Sequence, residues 1–189
     1  METQADKHKE YYFLTATLVE WVPLFKQPCY ANIVINSLSF LRSKEEMALF
    51  AYVVMPTHLH AIISPGCIGI AQIKQAFGSF TAHAIAKELI KEHRETELAI
   101  FENAVLDNQS KHRIWQKIDS KPILTEYVLR QELEYLHNNP TRKKWNLVED
   151  RADYLYSSAS FYDLGKPGKI ELDDVRSLLS GSTTSSQRT

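Results

Sequence analysis

Two histidines separated by a single residue stand in the apolar stretch YVVMPTHLHAIISP, residues 52–65. Alternate residues of a β-strand point to the same face, so His58 and His60 share one face and Leu59 takes the other. Two imidazoles held side by side on a strand can pack together, bond to polar neighbours or bind a metal ion. The spacing alone leaves these three uses open, and a hydrogen-bonded structural pair is the simplest of them.

A tyrosine and an asparagine recur much later, in the segment LTEYVLRQELEYLHNNP of residues 124–140. We predict a helix here, with Thr125 as its N-cap. The helix should close at Asn139, because Pro140 disfavours helical geometry in the residue before it. Tyr135 and Asn139 are i and i+4, so they lie one above the other on the helix surface. The adjacent apolar stripe, which should pack on a sheet, consists of Leu129, Leu133 and Leu136.

If these two pairs meet in the folded chain, they supply metal ligands and a nucleophile. Two imidazole nitrogens and the Asn139 amide oxygen leave positions open on a divalent ion, which could then polarise a phosphate. The Tyr135 oxygen could attack phosphorus and store the bond as a phosphotyrosine ester. Tyr127 is a rival nucleophile, two turns earlier on a neighbouring helix face. Asn139 also has a structural alternative, because asparagine commonly caps helix ends.

The remaining elements follow from hydrophobic periodicity and turn residues. Pro56 lacks the N–H that a central strand needs, so the chain should turn at Pro56-Thr57 and form a hairpin. On the long helix that follows, the expected buried stripe is Ile73, Phe77, Phe80 and Ile85. The predicted elements are a strand at 11–21, a helix N-capped by Asn32, strands at 47–55 and 58–64, a helix at 69–93, a short strand at 113–118 followed by a loop, and the helix at 124–140; residues 94–112 are not assigned.

The order strand, helix, hairpin, helix, strand, helix predicts an α+β fold of the split βαβ type, ferredoxin-like or RRM-like. Two helices should cover one face of an antiparallel sheet. The other face remains for function or for the last helix, which would lie beside the strand that carries the two histidines. We predict a single domain over residues 1–179 and a disordered polar tail, SGSTTSSQRT, over residues 180–189.

Four stretches carry a resemblance to a known family: MPTHLHAIISP, IWQ, LEYLHNNP and YSSASFY. In this order they resemble the single-tyrosine HUH transposases, named for their histidine–hydrophobic–histidine motif. Within that family the chain is most similar to the REP-associated tyrosine transposases and related transposase-like proteins. The resemblance covers roughly residues 11–162. A lone His-x-His is weak evidence, but the same motif after Met-Pro, followed by Tyr-x-x-x-Asn-Pro and Ser-Ser, is specific.

The resemblance implies a function and a set of site residues. It implies that His58, His60 and Asn139 bind Mg²⁺ or Mn²⁺ and that Tyr135 is the nucleophile. It further implies cleavage and rejoining of single-stranded DNA at hairpin or palindromic elements, by a monomer or a homodimer. The intermediate would be a 5′-phosphotyrosine with a free 3′-hydroxyl. Many relatives carry an acidic-histidine pair where this chain has KIDSKPI, so the contribution of that segment stays open.

The distribution of charged residues bears on whether the protein binds nucleic acid. The formal net charge of −1 gives no global positive field, yet eight Lys or Arg face four Asp or Glu between Lys111 and Lys144. A local basic surface could contact DNA phosphates, or it could simply be hydrated. Trp115 and Gln116 could stack on or bond a base, although a tryptophan beside Ile114 is more often part of a core. The candidate DNA contacts are Lys74, Trp115, Gln116, Arg142, Lys143 and Lys144.

The cysteine content and the distribution of apolar residues indicate the cellular compartment. Two cysteines, a polar N-terminal segment and the lack of a long apolar run predict a reduced, cytoplasmic protein.

The alternative to a transferase is a module that binds structured DNA or RNA on the same sheet without cutting it. A metal-dependent hydrolase in which Tyr135 takes no part is a third reading.

Overall fold

The computed structural model describes residues 10–106 and 111–176. Their strands form an antiparallel sheet in the spatial order β2-β3-β1-β4. This order confirms the predicted ferredoxin-like, split βαβ arrangement. The strands are β1 (Tyr11–Leu18), β2 (Met47–Met55), β3 (His58–Pro65) and β4 (Trp115–Ile123). The α-helices are α1 (Pro28–Ser43), α2 (Ile70–Lys91), α3 (Glu95–Asn103), α4 (Glu126–His137) and α5 (Ala159–Leu164).

The alternation of the strands divides the buried residues between two faces of the sheet. On one face, α1 and α2 pack against Leu14, Ala16 and Leu18 of β1 and against Leu59, Ala61 and Ile63 of β3. On the other face, α4 packs through Leu129, Leu133 and Leu136 against Phe13, Phe50, Val53, Ile62 and Ile123. The predicted leucine stripe is therefore confirmed. Because His58 and His60 alternate with Leu59 and Ala61, both histidines lie on the α4 face.

The predicted hairpin is present, with Pro56-Thr57 as its turn and Met55 paired with His58. Both turn carbonyls bond to other parts of the chain. The amide of Phe25 donates to the Pro56 carbonyl at 3.0 Å, and the amide of Leu18 donates to the Thr57 carbonyl at 3.0 Å. The histidine end of β3 is thus fixed to the segment that leaves β1.

The outer edge of β2 is covered by the C-terminal part of the chain. Residues 154–158 run beside this edge, and both the amide and the carbonyl of Tyr52 bond to Ser158. Such cover satisfies backbone groups that an edge strand would otherwise expose. The other hydrogen bonds join Leu49 to Asp173, Phe50 to the Tyr162 hydroxyl, and Val54 to Tyr156 and the Tyr154 hydroxyl, at 2.8 to 2.9 Å.

Several element boundaries differ from the predicted ones. β1 ends at Leu18, and a 3-10 turn (Val19–Trp21) replaces the predicted end of the strand. α1 begins at Pro28 rather than after Asn32, because proline suits the first helical position, where no N–H is needed. α4 is N-capped by Thr125 as predicted, its Oγ1 accepting from the Val128 amide at 3.2 Å. The helix ends at His137, before a 3-10 turn (Asn139–Thr141).

β4 and α2 also depart from the prediction. β4 continues to Ile123 through the segment expected to be a loop, which is possible because Pro122 lies on an edge strand. Phe80 is 59% exposed; the buried stripe of α2 is Ile73, Phe77, Thr81, Ile85 and Leu89. The unassigned stretch contains α3. The predicted domain end at residue 179 and the tail lie outside the described residues, and no helix within those described is long and apolar enough to cross a membrane.

Candidate active site

The two histidines form a buried pair at the start of β3. The His58 and His60 ring centroids are 4.8 Å apart, with the ring planes nearly perpendicular, and each residue is 6% exposed. Phe13 packs on His60 with a centroid separation of 5.1 Å. Neither ring can turn freely in such a packed environment, so the strand and its neighbours fix the direction of both imidazoles.

Threonine hydroxyls orient both rings through the same nitrogen. Thr57 Oγ1 is 2.9 Å from Nδ1 of His58, and Thr15 Oγ1 is 3.0 Å from Nδ1 of His60. Within residues 10–106 and 111–176, no protein group bonds to either Nε2 atom, and no fully buried polar side-chain atom lacks a partner. Both Nε2 atoms therefore keep access to solvent. A hydrogen bond at one ring nitrogen with the other left open is the arrangement of a metal-ligating histidine.

Both imidazoles are neutral at physiological pH. Burial lowers the pKa of His58 to about 4, with a further contribution from Lys144. Burial also lowers the pKa of His60 to about 3, assisted by His58 and Arg142. Neutral imidazole is the form that binds metal ions, so these histidines need lose no proton to act as ligands.

The fold brings Tyr135 to the histidine pair, as the resemblance implied. Its ring centroid is 5.5 Å from that of His60 and 6.0 Å from that of Phe13. Tyr135 is 37% exposed, because it lies on the flank of α4 beside the buried leucines. The guanidinium of Arg142 lies 4.3 Å from the centre of the tyrosine ring. The phenol thus combines a fixed ring with access to an incoming molecule.

Asn139 is buried beneath the end of α4. Its Nδ2 donates to the Tyr135 carbonyl at 2.9 Å, which satisfies one of the last carbonyls of the helix. This bond fixes the amide so that Nδ2 is the donor and Oδ1 the remaining acceptor. Asn139 therefore bonds to the helix end through its side chain, although the C-cap residue is Asn138, and the ligand role of Asn139 stays a prediction.

The donor set consists of neutral groups. Across the described ranges, no cluster of three or more His, Cys, Asp or Glu side chains could hold a metal ion. Imidazole nitrogens and an amide oxygen are donor types that divalent ions accept when water or phosphate oxygens fill the other positions. Because the described residues add no carboxylate to the two histidines, we expect weak metal binding by the free protein, strengthened when an anionic substrate supplies further oxygens.

The C-terminal end of α4 is anchored to α5 and its N-cap. Arg151 bonds to Glu134 at 2.6 Å, to Asp163 at 2.7 Å and to the Asn138 side chain at 3.2 Å. His137 Nε2 lies 2.8 Å from the Ser158 hydroxyl. These contacts surround the turn that carries Tyr135, so they fix the height and rotation of the phenol relative to the sheet.

Two tryptophans that the sequence analysis did not single out border the histidines. The Trp145 ring lies 5.6 Å and the Trp21 ring 5.8 Å from His58. The Lys144 ammonium lies 5.0 Å from the Trp145 ring centre and 5.5 Å from that of Trp21. Trp145 could have been predicted as a site residue, because it directly follows the basic run Arg142–Lys144. Nothing local in the sequence marks Trp21, because tertiary folding brings it to the site.

The other predicted DNA contacts are dispersed. Arg142 and Lys144 lie at the site, and Lys143 between them is exposed. The prediction for Trp115 is corrected: it is 8% exposed, packs on Phe77 and donates from Nε1 to Thr81 at 2.9 Å, so it cannot stack on a base. Lys74 lines a groove of about 590 Å³ between α2 and the start of β4, on the other face of the sheet. Gln116 is exposed at the start of β4, and its role stays a prediction.

Replacing Thr15 with valine is expected to weaken Mn²⁺ binding by about 10- to 100-fold, because His60 loses the partner that orients it. Free Mn²⁺, measured by electron paramagnetic resonance during titration, gives the affinity. Thr17→Val is the matched control: Thr17 lies on the same strand and the same face, and no bond joins its hydroxyl to a histidine ring within the described chain. An equal loss in both variants would contradict an orienting role for Thr15.

Among solved structures, the chain is similar to a REP-associated tyrosine transposase bound to a REP hairpin. The TM-score is 0.56 at 18% identity, over 100% of this chain and 98% of that chain. A candidate transposase from Deinococcus radiodurans gives a TM-score of 0.45 at 14% identity, over 73% of this chain and 96% of that chain. No protein-family model and no curated protein matches the sequence. The predicted resemblance to the REP-associated tyrosine transposases is thus confirmed as a shared fold.

Proposed function

We propose that this protein is a transposase-like enzyme that cleaves and rejoins single-stranded DNA through Tyr135. The observation that carries the proposal is the position of the phenol ring, 5.5 Å from the His60 ring of a histidine pair whose Nε2 atoms have no bonding partner among the described residues. A structural pair of histidines would not need an exposed tyrosine beside it. A binding module would not need two open imidazole nitrogens next to that tyrosine.

The charges around the site favour a phosphate. Arg142 lies over the Tyr135 ring, and the Lys144 ammonium lies near the ring centres of both Trp21 and Trp145. The same two cations contribute to the lowered pKa values of the histidines, Lys144 for His58 and Arg142 for His60. Since the histidines are neutral, the site carries a net positive charge in the absence of metal. A phosphodiester entering this site would therefore be attracted by charge as well as held by hydrogen bonds.

The proposed reaction is an in-line transfer at phosphorus. The Tyr135 oxygen forms a bond to phosphorus while the bond to the 3′-oxygen of the preceding nucleotide breaks. The tyrosine gives up its proton and the departing 3′-oxygen takes one, which leaves a 5′-phosphotyrosine and a free 3′-hydroxyl. In rejoining, a 3′-hydroxyl attacks the same phosphorus and the phenolate leaves. Arg142 would stabilise the charge on the equatorial phosphate oxygens.

A divalent ion held by His58, His60 and Asn139 would polarise the phosphate and stabilise the charge that develops on it. We propose Mg²⁺ or Mn²⁺ in this role. The residues of the chain fit such an ion because both imidazoles are neutral and both are oriented by threonine hydroxyls. The threonines, together with Phe13, hold the rings in place before the substrate arrives.

We further propose that the substrate is single-stranded DNA with a hairpin or palindromic element. This part of the proposal is supported by the protein of similar fold that was solved bound to a REP hairpin. The dense basic segment after α4 supports it as well, since phosphate contacts supply much of the affinity for nucleic acids.

The test is the formation of a covalent adduct. With a 5′-labelled and a 3′-labelled hairpin oligonucleotide and Mn²⁺, we expect a band of retarded mobility on a denaturing gel for the 3′-labelled strand. A 5′-phosphotyrosine retains the downstream piece, so the 5′-labelled piece should be released with a free 3′-hydroxyl. Chelation with EDTA should prevent both products. Tight binding without adduct in Mg²⁺, Mn²⁺ or other divalent ions would favour the binding-module alternative.

A further inference from the structure

Trp21 stands out because its backbone is strained and its ring is exposed. It lies in the 3-10 turn after β1, where Glu20 has φ 50° and Trp21 has φ 53°. Two consecutive non-glycine residues in the left-handed region are uncommon, and a bulky side chain there is a genuine outlier. The ring is nevertheless 51% exposed, so hydrophobic burial does not account for its position.

The surrounding backbone holds this turn in place. The amide of Leu18 donates to the Thr57 carbonyl at 3.0 Å, and the amide of Val19 donates to the Ile114 carbonyl at 3.0 Å. Thr57 is the residue that orients His58, so the strained turn and the histidine pair share an anchor. Strain of this kind persists only where neighbouring structure imposes it, and it concentrates at functional sites.

The Trp21 ring forms one wall at the rim of the candidate site. Its edge meets the His58 ring with a centroid separation of 5.8 Å, and the Lys144 ammonium lies 5.5 Å from its centre. An aromatic surface next to a cation provides what one nucleotide of a single strand requires, a platform for the base and a charge for the phosphate. Trp145 is less suited to this role because it is only partly exposed, between His58 and Lys144.

We propose that Trp21 stacks on one unpaired nucleobase next to the scissile phosphate, while Lys144 binds the adjoining phosphate. This inference rests on the proposed function and adds the group that positions the strand. The base can be of any type, because stacking uses the aromatic face that all bases share. Trp21 would thereby take the role that the sequence analysis assigned to Trp115.

The experiment measures binding in the full chain carrying Tyr135→Phe, so that cleavage does not interfere. The probes are a hairpin oligonucleotide with a single-stranded flank and a series in which each unpaired nucleotide in turn is replaced by an abasic site. Trp21→Ala should weaken binding of the intact probe by roughly 5- to 150-fold, the range measured for loss of one stacked base. At one abasic position, and only there, Trp21→Ala should have no further effect.

A matched control is available in α1. Phe40 is 57% exposed with the Lys44 ammonium 5.6 Å from its ring centre, which resembles the setting of Trp21. Phe40→Ala should leave binding unchanged. Trp21→Tyr should recover most of the affinity, because tyrosine also offers an aromatic face. Quenching of tryptophan fluorescence by the oligonucleotide should be smaller in Trp21→Tyr, where Trp145 is the remaining tryptophan at the site, and this gives a second measurement if Trp21→Ala folds poorly.

The outcomes separate this inference from the function on which it rests. Loss of the Trp21→Ala effect at one abasic position, and only there, supports the inference even if the wild-type protein forms no adduct. If the wild-type protein forms the adduct and Trp21→Ala leaves binding unaffected, the inference is overturned and the proposed enzymatic function is supported. A uniform loss across all abasic probes, or no binding by the wild-type protein, also overturns it.

Discussion

Tyr135→Phe is expected to abolish the covalent DNA adduct while changing DNA affinity by less than about tenfold, the upper value of one hydrogen bond. Phenylalanine retains the ring that contacts His60 and Phe13 and that lies beneath Arg142. It removes only the oxygen that would attack phosphorus. Adduct yield on a denaturing gel and affinity by fluorescence anisotropy, measured in the same buffer, separate chemistry from binding.

Tyr127→Phe is the matched control for this substitution. Tyr127 lies on the same helix, is 69% exposed, and its hydroxyl accepts from Gln131 Nε2 at 2.9 Å. Removal of the Tyr127 hydroxyl should leave the adduct yield unchanged. An adduct that survives in Tyr135→Phe but disappears in Tyr127→Phe would assign the nucleophile to Tyr127. Survival in both variants would move it to another residue.

His60→Gln is the second substitution with a large expected effect. Glutamine keeps polar bulk in the pocket but cannot present a rigid nitrogen while bonding to Thr15. We expect no detectable adduct at the Mn²⁺ concentration that saturates the wild-type protein. Mn²⁺ affinity in the presence of the oligonucleotide should fall by at least about 100-fold, since loss of a partner that only orients a ligand already costs 10- to 100-fold.

The control for His60→Gln is His83→Gln. His83 lines the groove between α2 and β4, on the opposite face of the sheet, so its loss should alter neither metal binding nor the adduct. Thermal unfolding of both variants checks that the fold persists. An adduct that forms in His60→Gln with the wild-type dependence on Mn²⁺ would contradict a ligand role for His60.

The sequence predicted the parts of the site that depend on local periodicity. Alternation along β3 places His58 and His60 on one face, and the helical period separates Tyr135 from the leucines of α4. Pro56 predicted the hairpin turn by itself, because proline lacks the N–H that a central strand needs. The proximity of Tyr135 to the histidines was not derivable from either pattern, and the ordered motifs of the resemblance supplied it.

Features created by tertiary contact could not be predicted in this way. Thr15 reaches His60 because β1 and β3 are neighbours in the sheet, although 45 positions separate the two residues in sequence. Trp21 and Trp145, which are far apart in sequence, both contact His58. Trp115 shows the reverse case, since its aromatic type suggested a base contact while its strand position places it in the core.

Boundary errors arose where one residue type permits two structures. Pro28 could end a loop or begin a helix, and the structure uses it to begin α1. Pro122 argues against a central strand but is acceptable at the edge position that β4 occupies. For Pro122, only the order of strands in the sheet decides between the two interpretations, and that order is a property of the complete fold.

The bonds between the C-terminal segment and β2 have a consequence for self-association. An uncovered edge of a sheet is a template on which a second molecule can add its own strand, leading to swapped dimers or fibrils. Here Ser158, Tyr156 and Asp173 already occupy backbone groups along that edge. Strand addition at β2 would first require this segment to detach, so the folded protein resists aggregation along that side.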